Sequence, residues 1–69
     1  MNPETVKRVE AYLKRTLNPA ITLVGRPRVN DSVEVTLAGE HIGLVYLVED
    51  EGETSYQLEM TILQEDLEG

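Results

Sequence analysis

The chain has 69 residues and no cysteine, which bounds it to one small domain and excludes disulfide staples and thiolate metal sites. Thirteen acids against six bases give a net charge of −7, which favours solubility without selecting a fold. No run approaches the ~18 apolar residues of a membrane span. The first twenty residues hold no apolar signal-peptide core, so a cytoplasmic protein is expected.

The charges are segregated. Residues 1–30 carry all six bases (Lys7, Arg8, Lys14, Arg15, Arg26, Arg28) and two acids, for +4. Residues 31–69 carry eleven acids and no base, for −11. This asymmetry permits head-to-tail self-association that weakens with salt.

Asn2-Pro3-Glu4-Thr5 reads as a helix start, with Asn2 as cap, Pro3 at the first helical position and Glu4 at the positive end of the dipole. Val6, Val9, Leu13 and Leu17 recur at helical spacing, with Tyr12 on the flank and Lys7, Arg8, Lys14 and Arg15 on the opposite arc. Asn18-Pro19 stops the helix, so it is predicted over residues 3–17. The basic arc is either a solvated face or an electrostatic docking face.

Four strands follow, predicted over 20–26, 32–38, 41–49 and 53–62. Pro27 lacks an N–H and places the first strand on a sheet edge. Val29-Asn30-Asp31 reads as a turn. Val33, Val35 and Leu37 alternate inward. Gly39-Glu40 suits a two-residue hairpin turn that pairs Leu37 with Ile42, Val35 with Leu44 and Val33 with Tyr46. Alternation assigns Ile42, Leu44, Tyr46 and Val48, and then Tyr56, Leu58, Met60 and Ile62, to the core. Parity then selects a three-residue loop, Asp50-Glu51-Gly52, with Gly52 left-handed; a five-residue loop, Glu49 to Glu53, keeps the same register. Tyr46 faces Tyr56, Leu44 faces Leu58 and Ile42 faces Met60. Residues 63–69 form either one helical turn or a frayed acidic tail.

The expected fold is α+β: an N-terminal helix packed on one face of a four-stranded antiparallel β-meander, with a possible short C-terminal helical turn. The alternative is αβββα, the element order of double-stranded-RNA-binding domains. Those domains hold phosphates with a basic patch on the second helix, where Gln64–Glu68 is acidic here.

Few residues suggest chemistry. His41, the single histidine, flanks a turn and reads as a surface residue. Ser32 and Ser55 lack a paired base. The glycines form no phosphate loop. Glu49-Asp50-Glu51-Gly52-Glu53 does not match a calcium loop and reads as a solvated tip. No catalytic residue, metal or cofactor is expected. The assigned faces leave Val24, Val45 and Leu47 pointing away from the core, as a surface for a homodimer or another protein.

Asp31-Ser32-Val33-Glu34-Val35, Glu40-His41-Ile42-Gly43 and Ser55–Leu63 resemble a small family of alphaproteobacterial proteins known as a domain of unknown function. The likeness extends over nearly the whole chain, from the helix near Pro3 to Asp66-Leu67. It implies a stand-alone bacterial cytoplasmic protein and supplies no activity or site residues.

The sequence thus reads as a non-enzymatic protein-interaction module. Its candidate surface is Val24, Val45, Leu47 and the helix bases Lys7, Arg8, Lys14 and Arg15. The alternative is a nucleic-acid-binding accessory protein using the basic N-terminal segment. The net charge and the lack of aromatic residues beside the bases argue against it.

Overall fold

The computed structural model describes residues 1–68; Gly69, the end of the segment read as a turn or tail, lies outside them. Helix α1 spans Pro3–Thr16. It is followed by strands β1 (Ile21–Arg26), β2 (Val29–Leu37), β3 (Glu40–Asp50) and β4 (Glu53–Met60), and by a 3-10 turn, Gln64–Leu67. The strands form one antiparallel sheet in the order β1-β2-β3-β4. Among the described residues no helix is long and apolar enough to cross a membrane.

Helix α1 begins as its sequence dictates. Asn2 Oδ1 accepts from the Thr5 N–H at 2.8 Å, and Pro3 occupies the first turn. Leu13 is buried, and Val6 and Val9 pack against the core. Leu17 does not join them. It is the C-cap and stays exposed, because the helix ends at Thr16. The helix lies closest to β1. The core is small: Leu13, Ile21, Leu23, Val33, Val35 and Val45, with Met1, Val6, Val9, Leu37 and Ile42 against it.

The turns depart from the sequence reading. Pro27-Arg28 makes the first one. Proline fixes the φ that the first central position of a type II turn needs, and Arg28 supplies positive φ at the second (64°). Val29-Asn30-Asp31, expected as that turn, begins β2 instead. The next loop is Ala38-Gly39 rather than Gly39-Glu40. Both residues have positive φ (52° and 85°), and Leu37 pairs with Glu40, the arrangement of a type I′ hairpin. The last loop is Glu51-Gly52, again with two positive φ values (49° and 83°) and with Asp50 paired to Glu53. Gly52 is left-handed as expected, but the loop has two residues.

These shifts invert β3. Val33 pairs with Val45 and Val35 with Gly43, then Thr36 with His41, so Ile42 is the unpaired residue of a bulge. Across β4, Gly43 pairs with Met60, Val45 with Leu58, Tyr46 with Gln57 and Leu47 with Tyr56. The expected pairs Val33–Tyr46, Val35–Leu44, Leu37–Ile42, Tyr46–Tyr56, Leu44–Leu58 and Ile42–Met60 do not form. Beyond the bulge, the odd-numbered residues of β3 (Gly43, Val45 and Leu47) face the helix. Val45 is 2% exposed. Leu44, Tyr46 and Val48 lie on the open face, half-buried.

Candidate interaction surface

Because α1 sits over the β1 side of the sheet, β4 has no cover. Val45 pairs with Leu58 and Leu47 with Tyr56, so the even-numbered side chains of β4 share the helix-side face. Yet every residue of β4 is exposed. Tyr56 is 41% exposed, Leu58 39% and Met60 53%, and Tyr12 on the adjoining helix flank is 54% exposed. Between α1 and β4 runs an open groove with Val9, Leu13 and Val45 among its lining, Tyr12, Tyr56 and Leu58 along it, and Arg8 and Arg15 contributed by the helix. The Arg15 guanidinium stands 5.5 Å from the centre of the Tyr12 ring, a cation–π contact. Ile62, Leu63 and Leu67, just beyond β4, are exposed as well.

The two sheet edges differ. On β1, the Ile21 N–H donates to the Asn18 carbonyl at 3.1 Å, and the Leu23 N–H donates to Glu10 Oε2 at 2.8 Å. Glu10 reaches there from the helix, so α1 guards this edge as well as covering the face. On β4, the two-residue hairpin makes Asp50–Glu53 a hydrogen-bonded pair. Alternation along the ladder then turns the odd-numbered backbone groups of β4 toward β3. The N–H and C=O of Thr54, Tyr56, Leu58 and Met60 point to the open edge. Among the described residues no side chain or loop bonds to their N–H groups. The strand contains no proline, no lysine and no bulge.

The surface residues chosen from the sequence are thus distributed differently. Val45 and Leu47, expected on the open face, lie on the helix face because of the Ile42 bulge, and Val45 forms part of the groove floor. Val24 is exposed on the opposite face, paired with Glu34. Arg8 and Arg15 border the groove, whereas Lys7 is absent from its lining. Lys14 Nζ donates to the Pro19 carbonyl at 3.3 Å, away from β4. Arg26, another of the six bases, donates to Ser32 Oγ at 2.9 Å, which accounts for the buried serine. Sequence reasoning missed Tyr12, Tyr56, Leu58 and Met60 as surface. Their alternation marks a face, and only the helix position shows that the face is bare.

A second cleft, where the start of β3 meets the end of β4, has Glu40, His41, Glu59, Glu65 and Asp66 in its lining. His41 Nε2 lies 3.4 Å from Glu34 Oε1, a solvated pair on the open face. Among the described residues no three His, Asp or Glu side chains cluster at metal-binding distance. In the C-terminal turn, the Leu63 N–H donates to Asp66 Oδ2 at 3.2 Å.

Comparison with curated proteins and with solved structures gave no match. Residues 5–66 match the model of a family described as "Protein of unknown function (DUF3126)", and the chain belongs to that family.

Proposed function

We propose that the protein is a non-enzymatic protein-interaction module that works through the helix-side face of β4. The observation that carries this reading is that β4 shares a face with buried Val45 while none of its own residues is buried. A row of Tyr56, Leu58 and Met60 beside Tyr12 resembles the apolar and aromatic centre of a protein interface. An enzyme needs convergent polar groups in a pocket. The groove here offers Thr5, Arg8, Arg15, Thr54 and the two tyrosines around Val9, Leu13 and Val45, with no carboxylate or histidine among the described residues that line it.

A photo-crosslinking residue at position 58, installed in the native host, tests the reading. The expected result is a defined protein adduct, of this chain or of another, that is absent when the probe sits at Thr22 on the opposite face. Equal or absent labelling at the two positions overturns it. The nucleic-acid alternative predicts a gel shift at low salt that vanishes as salt rises. The solvated acids Glu53 and Glu59 on β4 and the engagement of Lys14 and Arg26 within the chain favour a protein occupant.

A further inference from the structure

We infer that the occupant of the β4 edge is a second copy of this chain, paired antiparallel along β4 to give a continuous eight-stranded sheet. This rests on the interaction-module reading and names its partner.

Two independent observations carry it. The first is surface area. A compact monomer of 7.7 kDa is expected to expose about 4,300 Å². This chain exposes 5422 Å², so roughly 1,100 Å² is in excess. A standard protein interface removes about 800 Å² from each partner. The excess is somewhat more than one such interface covers, and every residue of β4 is exposed. The second is the contrast between the edges. The outward N–H groups of Ile21 and Leu23 in β1 are taken by Asn18 and Glu10. Among the described residues the outward N–H groups of β4 have no partner, along a strand with no bulge. One edge is capped over its first half and the other is left as a template.

Antiparallel pairing about a two-fold axis is self-complementary, as a closed dimer requires. The register centred on Gln57 pairs the whole of Thr54–Met60. It sets Tyr56 opposite Leu58 of the second copy and Thr54 opposite Met60. Glu59 falls opposite Ser55, so no two carboxylates face each other. Both helices then lie on one side of the sheet, flanking a shared apolar trough. Each copy carries a net charge of −7, so screening favours this dimer, and its affinity rises with salt. Head-to-tail pairing of the basic and acidic segments has the opposite salt dependence.

Sedimentation and amide hydrogen exchange on the wild-type chain test the inference together. The expected result is a dimer in which the Thr54, Tyr56, Leu58 and Met60 amides become protected as concentration rises, and which tightens with sodium chloride. Leu58→Lys should abolish the dimer over the concentrations at which wild type is dimeric, with amide spectra unchanged in α1, β1 and β2. A monomer at all concentrations overturns the inference, as does a dimer whose even-numbered β4 amides still exchange freely. A monomer that still gives a host-protein adduct at position 58 removes the second copy and leaves the module reading standing. A monomer with no adduct removes both.

Discussion

Gly43 is where one residue decides the register. It is buried in β3, opposite Met60, and a Cβ placed on it would fall inside the van der Waals radius of the Glu59 carbonyl. The neighbouring atoms are β4 backbone, which cannot rotate aside as a side chain could. Gly43→Ala is therefore expected to destabilise the fold by about 1–3 kcal/mol, the range of overpacking substitutions. A urea titration measures this as a lowered midpoint. The same substitution at Gly25, where a Cβ meets nothing within 4 Å, should cost far less and serves as the control. In the sequence, Gly43 is an interruption in an apolar run. Its reason becomes visible only when the bulge at Ile42 turns it toward β4.

At the scale of elements, the periodicity of α1 and the alternation in β2 and β4 were legible because polar residues mark the opposite face. Lys7 and Lys14 oppose Val6 and Leu13, Glu34 and Thr36 separate Val33, Val35 and Leu37, and Gln57 and Glu59 separate Tyr56, Leu58 and Met60. The β3 strand offers no such mark. Ile42 to Val48 is apolar on both faces apart from Gly43, so alternation could not say which face is inside. The Ala38-Gly39 turn and the bulge then moved the pairing by one residue. The interaction surface was hidden for another reason: helix placement is a tertiary fact that strand patterning does not contain. Glu10 illustrates it. By sequence it is one acid among basic neighbours; in the fold it accepts the Leu23 N–H at 2.8 Å. Glu10→Ala leaves that partly buried donor unpaired and is expected to cost about 1–2 kcal/mol. Faster exchange of the Leu23 amide checks the cause, and Glu10→Gln, which keeps an acceptor, should lose less.

The described molecule measures 42 × 25 × 22 Å, long for its mass, because the 11 residues of β3 span about 36 Å when extended. Six buried hydrophobic residues make a modest core, and chains of this size are marginal when alone. If the stability is shared between two copies, the midpoint of thermal unfolding must depend on concentration. The expected rise is about 3–6 °C for each tenfold increase, since tenfold in concentration is worth about 1.4 kcal/mol per dimer. Differential scanning calorimetry over two decades of concentration reads it. A midpoint that does not move is the signature of a monomer.

The two-sided apolar character of β3 also has a kinetic consequence. A strand with one polar face cannot slip by one residue without burying charge, but β3 can exchange Leu44, Tyr46 and Val48 for Val45 and Leu47 at little hydrophobic loss. The slipped alignment is thus a near-competitor during folding, and the hairpins that close first select between the two. The left-handed pairs Ala38-Gly39 and Glu51-Gly52 fix both ends of the strand. Folding of this small meander should accordingly be paced by turn formation at the two loops rather than by collapse of the core.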